Sequence, residues 1–248
     1  MGAIGIVGGV GPYAGTDLVN KVFAHTTANK DQEHIDLYLV SCPALIPDRT
    51  DYLLNNGANP ASGMEECMNK LAQMGSSAIG IGCNTAHSPK ILSQIKFPND
   101  VEFINMIEET CNYVSSIGGS IEKPFKVGLL ATLGTIKTGI YKQYFDKHEE
   151  LELVLPSNKT CEKVHNAIYN KEYGIKAVSP VSAIANEVCR VAIDELSLLG
   201  CKAVILGCTE LPLVFSGLKE YNNTVLVDPT DILAQSLIKA VSPEKFKV

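Results

Sequence analysis

The chain has 248 residues, 46% hydrophobic and 19% charged, with a formal net charge of −6. Such a length holds one large or two small domains and buries enough core to need no disulfide staples. The acidic balance, without a long basic run, argues against nucleic acid or an anionic membrane as partner, while a small anionic substrate stays open. No run approaches the ~18 apolar residues of a membrane-spanning helix. The first residues lack the basic and apolar regions of a signal peptide, so a cytoplasmic protein with reduced thiols is expected.

Short apolar runs alternate with amphipathic stretches. In chain order the expected elements are strand Ile4–Val7, helix 15–28, strand Ile35–Val40, helix 62–74, strands Ala78–Ile81 and Val101–Ile104, and helix 106–117. Then follow strand Val127–Leu130, helix 138–147, strand Leu151–Leu155, helix 180–199, strands Ala203–Leu206 and Val225–Val227, and helix 230–240. Strands apolar along their whole length suit parallel sheets covered on both faces, and the alternation makes the class α/β.

The pattern contains a repeat. Leu71–Cys83 and Leu196–Cys208 share Leu, Gly, Ala, Gly and Cys at an offset of 125, while Ile4–Gly11 matches Val127–Gly134 at 123 and Met106–Glu108 matches Pro229–Asp231, also at 123. The expected architecture is therefore two pseudo-symmetric α/β lobes, each a mostly parallel four-stranded sheet flanked by helices, with the active site in the cleft between them. The first lobe spans 1–114, with 228–248 packing back on it, and the second spans 115–227. "SSIGGSIEKP", 115–124, reads as the crossing.

Eight cysteines (42, 67, 83, 111, 161, 189, 201, 208) form no CxxC pair, so no zinc site is expected. Two of them, Cys83 and Cys208, end an apolar strand after a glycine, at the edge where parallel sheets bind ligands. Both could be buried small hydrophobes. Yet each precedes polar residues suited to a binding loop, Asn84-Thr85 and Thr209-Glu210, and the repeat makes the two positions equivalent. Two thiols facing each other suit inversion of a stereocentre, one as base and one as acid. His87 is expected in the first turn of the next helix, either packed or tuning Cys83.

Three further stretches carry candidate chemistry. Gly9–Ala14 satisfies G-x-G-x-x-A after a strand, the dinucleotide pattern, but no acid follows the next strand, where Ser41 and Cys42 stand. A glycine turn whose backbone N–H groups approach a carboxylate explains the same residues. Arg49, in a Pro-bounded loop, is either solvated or a carboxylate clamp. "ATLGT", 131–135, supplies the hydroxyls of Thr132 and Thr135, and "IYNKEYGIKAVSP", 168–180, supplies loop lysines.

Taken together, "GIVGGVGP", "IPDRT", "CNTAH", "MIEET", "GLLATLGT", "GCTELPL" and "VDPTDILA" resemble the aspartate/glutamate racemase superfamily nearly end to end, and most closely its aspartate racemase branch. The resemblance implies a racemase that interconverts L- and D-aspartate with two cysteines and no cofactor, neither pyridoxal phosphate nor metal. The family's cysteine pair falls on Cys83 and Cys208, and its carboxylate-binding arginine on Arg49. Its lysine falls on Lys176 in "GIKAV", with Lys171 as the fallback because Val178 stands where a glycine is common. Asn84, Thr85, Thr209 and Glu210 match residues that hold the amino-acid moiety, and Thr132 and Thr135 match its hydroxyl-rich turn. Val10 replaces a methionine often seen in the glycine turn. A homodimer is expected. The rival readings are a glutamate or broad-specificity racemase on the same scaffold, a non-catalytic amino-acid binder, and a nucleotide-dependent oxidoreductase.

Overall fold

The eight apolar runs form strands because helices cover both faces of each sheet, leaving no polar side to encode. The structure, a computed structural model, describes residues 2–120 and 122–247, so Ile121 of the expected crossing lies outside the described residues. Two compact units are present, Met1–Glu109 with Thr230–Val248, and Thr110–Pro229. The first carries β1 (Ala3–Gly8), α1 (Pro12–Ala24), β2 (Leu37–Ser41), α2 (Arg49–Asn55), α3 (Ala61–Gln73), β3 (Ser76–Ile81), α4 (Pro89–Leu92), β4 (Glu102–Ile104) and the start of α5 (Met106–Ile117). The second carries β5 (Phe125–Ala131), α6 (Leu133–Lys137), α7 (Ile140–Phe145), β6 (Leu151–Val154), α8 (Asn158–Tyr169), α9 (Ala183–Leu198), β7 (Ala203–Gly207), β8 (Glu220–Tyr221) and β9 (Thr224–Val227). The last helix, α10 (Pro229–Val241), returns to the first unit.

The first sheet runs β2-β1-β3-β4, all parallel. The second runs β6-β5-β7-β9-β8, parallel except for the β8–β9 pair. Leaving β8 aside, the strand order is the same in both. The second sheet thus has five strands where the sequence predicts four. The addition is a hairpin whose turn residues, Asn222 and Asn223, have φ of 48° and 60°. Asparagine tolerates that left-handed conformation, which two-residue hairpin turns require. A two-residue strand is too short to show any periodicity.

In the first unit, Ile4 and Ile6 of β1 pack with Leu18 and Val22 of α1 and with Leu233, Leu237 and Ile238 of α10. On the opposite face, Val7, Ile79 and Ile81 meet Met64, Cys67, Met68 and Leu71 of α3. In the second unit, Leu130, Val204 and Leu206 pack on Val164, Ala167 and Ile168 of α8 and on Cys189, Ile193 and Leu196 of α9. Each large apolar side chain buried this way contributes roughly 1.5–3 kcal/mol before entropy is counted. The C-terminal segment is stitched to the end of α1. Thr27 N–H donates to the Lys245 carbonyl and Lys247 N–H to the His25 carbonyl, both at 2.8 Å, and the His25 ring meets Asp231 at 2.6 Å. Among the described residues no helix is long and apolar enough to cross a membrane.

Two helices occupy stretches that the sequence reading treats otherwise. Arg49 is not in a loop but opens α2, whose N-cap Asp48 accepts from Asp51 N–H at 2.8 Å. Residues 168 and 169, expected in a loop, close α8. Ser157 caps that helix, with its own N–H donating to the Glu195 carboxylate of α9 at 2.6 Å.

Candidate active site

In a sheet ordered 2-1-3-4, the loops leaving the second and third positions diverge to opposite sides and open a crevice at the strand ends, where ligands bind. In the first unit these loops follow β1 and β3. The β1 loop contains Gly9 at φ 75°, where an added Cβ would lie 2.8 Å from the backbone nitrogens of both Cys42 and Pro43. Only glycine fits so close an approach in that conformation. The carbonyl of Val10 in this turn accepts from Arg49 Nη2 at 2.7 Å, and Arg49 Nη1 donates to the Pro47 carbonyl at 3.2 Å. The expected arginine and the glycine turn are thus joined.

The β3 loop carries Cys83, Asn84, Thr85 and His87, all buried. His87 lies in a 3-10 turn, Thr85–His87, ahead of α4 rather than in the first turn of that helix. Its Nδ1 donates to the Cys83 carbonyl at 2.8 Å, while its Nε2 accepts from Met106 N–H at 3.3 Å. A neutral imidazole with the proton on Nδ1 satisfies both contacts, whereas a charged ring would set one N–H against another. Burial draws the His87 pKa down to about 4, even though the Cys83 carbonyl favours the charged form. His87 therefore braces the cysteine loop against the start of α5 as a neutral side chain.

In the second unit the corresponding loops follow β5 and β7. Thr132 caps α6, its hydroxyl accepting from Thr135 N–H at 3.3 Å and lying 3.2 Å from the Thr135 hydroxyl. Both threonines are buried. The β7 loop places Cys208, Thr209 and Glu210 in one network. The Cys208 thiol donates to Glu210 Oε2 at 2.9 Å, and the Thr209 hydroxyl donates to the same oxygen at 3.2 Å. Glu210 Oε1 takes the Lys176 ammonium in an ion pair. Lys171 lies exposed on the same loop.

The network fixes protonation. Burial and the adjacent Glu210 carboxylate push the Cys208 thiol well above its ordinary range, although Lys176 pulls the other way. Burial alone would raise the Glu210 carboxyl, but Lys176 and the surrounding donors hold it below the usual carboxylate range. Burial likewise opposes the charge on Lys176, and Glu210 more than offsets it, leaving the ammonium pKa raised. The resting arrangement is a neutral thiol beside a carboxylate–ammonium pair.

Two neighbours fall outside the residues singled out from sequence. Tyr169, at the end of α8, has its ring centroid 5.6 Å from Lys176 Nζ. His165 packs at a tilt against Tyr169 with centroids 4.9 Å apart and accepts Leu133 N–H at 3.3 Å. Their i, i+4 spacing on a helix was the available signal. Among the described residues no group of three or more His, Cys, Asp or Glu could hold a metal ion.

The chain belongs to the Asp/Glu/hydantoin racemase family, whose model matches residues 7–237. Among solved structures it is similar to the Picrophilus torridus aspartate racemase, 27% identical with a TM-score of 0.79, covering 98% of each chain. An aspartate racemase homologue from Pyrococcus horikoshii OT3 shares the fold at 21% identity and a TM-score of 0.68, covering 96% of this chain and 98% of that one. A Pectobacterium carotovorum subsp. carotovorum protein described as "Uncharacterized protein in pnlA 3'region" is 28% identical over 143 residues, 56% of this chain and 84% of its own.

Proposed function

We propose that the chain is an isomerase that interconverts L- and D-aspartate without a cofactor, by proton transfer at Cα between two cysteines. The observation that carries this reading is the network of Cys208, Glu210 and Lys176 at the end of β7, with Cys83 at the equivalent strand end of the first unit. In one direction a Cys83 thiolate takes the Cα proton, so the C–H bond breaks, an S–H bond forms and the electron pair stays on the substrate. The Cys208 thiol then delivers its proton to the opposite face. In the reverse direction the roles exchange: the Cys208 thiolate left by that delivery takes the Cα proton, and the Cys83 thiol delivers its own to the other face. Arg49 and Lys176 serve as anchors for the two substrate carboxylates. Asn84, Thr85 and Thr209 orient the amino-acid end, and Thr132 and Thr135 supply further hydroxyl contacts. A homodimer in the cytoplasm completes the proposal.

Incubation with L- and D-aspartate in deuterated water tests it. The expected result is deuterium at Cα from both enantiomers, with a racemic product and no added cofactor. Tight aspartate binding with protium retained at Cα would leave only a binding protein.

A further inference from the structure

Lys176 is positioned by more than its ion pair. The loop after α8 folds back as the cap of that helix, with Ile175 N–H donating to the Ala167 carbonyl at 2.9 Å and Lys176 N–H to the Ile168 carbonyl at 3.1 Å. Gly174 permits the fold-back, since an added Cβ there would lie 2.4 Å from the Asn170 carbonyl oxygen. The backbone of residue 176 is thereby tied to the last turn of the helix that carries Tyr169 and His165.

A lysine ammonium on its four-carbon stem is a mobile point charge and makes a poor ruler by itself. Here it is bracketed, with the Glu210 carboxylate on one side and the face of Tyr169 on another. The Tyr169 ring is itself held against His165 at an interplanar angle of 38°, and the His165 ring is tied to the backbone at the start of α6. That turn carries Thr132 and Thr135, so one continuous set of contacts joins the hydroxyls, the ring pair, the ammonium and the Cys208 thiol.

We infer that Tyr169, braced by His165, is a positioning residue that determines which diacid the site accepts. It fixes how far the Lys176 ammonium stands from Cys208, and therefore the length of acidic side chain that can reach the anchor while its Cα meets the thiol. The inference rests on the proposed racemase reading, with Lys176 as carboxylate anchor. A cation held over an aromatic face gains enough, from exposed to desolvated sites, to move binding by roughly two- to thirtyfold. One methylene of misfit moves discrimination by a further ~10–200-fold at most. The effect should therefore fall on KM and on the choice between aspartate and glutamate, and leave kcat for aspartate little changed.

The test compares kcat and KM for L-aspartate and L-glutamate in the wild type, Lys176→Met, Tyr169→Leu and Tyr169→Phe. Tyr169→Leu is expected to raise the aspartate KM about five- to twentyfold, with kcat held within about threefold. It should also shift selectivity toward glutamate by about tenfold. Tyr169→Phe keeps the ring face and recovers most of the lost affinity. If the wild type racemises neither diacid, or Lys176→Met leaves KM unmoved, the functional reading fails and the inference falls with it. If Lys176→Met raises KM while a folded Tyr169→Leu protein keeps the wild-type KM and selectivity, the inference alone falls. Should Tyr169→Leu not fold, wild-type NMR decides, with the Lys176 Hε signals assigned by their loss in Lys176→Met. Ring-current upfield shifts support the bracket, and unshifted signals overturn it.

Discussion

At the end of β3, the buried residues that follow Cys83 in the turn are neutral. Asn84 and Thr85 line the turn, and an uncharged His87 braces it through the Cys83 carbonyl. At the end of β7, the groups around Cys208 are ions, a carboxylate and an ammonium joined to each other with the thiol hydrogen-bonded to the carboxylate. Both loops leave the same position in sheets of the same strand order. A duplicated scaffold has therefore kept the place of the sulfur while changing what surrounds it. The strand order sets where the two sulfurs sit, and the loops set what surrounds each.

The largest expected effect breaks the comparison outright. Cys83→Ala and Cys208→Ala should each lower racemisation of aspartate by about a thousandfold or more, followed by chiral chromatography, because loss of one positioned acid or base typically costs 10²–10⁴. Full activity in either variant would reduce that cysteine to packing.

A smaller effect sharpens the contrast between the loops. Glu210→Gln keeps the shape of the β7 loop but removes the negative charge that helps raise the Cys208 thiol. With the carboxylate gone and Lys176 unpaired, the thiol pKa should fall. The alkylation rate of Cys208 against pH should then move to lower pH. Turnover should drop about ten- to a hundredfold, since the charge that orients the Cys208 thiol and pairs with Lys176 is lost. An unmoved alkylation profile would mean that Glu210 does not govern the thiol.

The smallest effect concerns the neutral loop. The folded-state pKa of His87 lies at about 4, against an ordinary value of 6.5. Above pH ~6.5 the ring is neutral both folded and unfolded, so its contribution is fully present. As the pH falls from ~6.5 toward 4, the unfolded chain takes up the proton first and the folded state loses stability, on the order of 3 kcal/mol in all. Urea midpoints at pH 7, 5.5 and 4.5 should fall more steeply for the wild type than for His87→Gln. Equal slopes would show that His87 is not held neutral.

The fold was largely legible in the sequence because buried parallel strands read as unbroken apolar runs, and the conspicuous helices carry strong apolar stripes. The elements that escaped were weak for physical reasons. In α8, "NKTCEKVHNAIY", the buried positions are Cys161, Val164, Ala167 and Ile168, whose small members make a faint stripe among charges. The short α2 has no buried residue at all, so Arg49 read as part of a loop. The cysteines stood out only because a repeat paired them. His165 and Tyr169 did not, since they lie on the unread helix. The bracing by His87 was invisible because its second partner, the Met106 N–H, is 19 residues away.

The return of α10 to the first unit has a consequence for how the chain is made. The second unit is one uninterrupted stretch, Thr110–Pro229, and can close as soon as it has emerged from the ribosome. The first unit, although begun earlier, lacks Leu233, Leu237 and Ile238 over the Ile4–Ile6 face until α10 is synthesised. Domains emerging N-terminal first ordinarily fold in that order. Here that order is expected to invert, with the Ile4–Ile6 face of β1 left open while the second unit is completed.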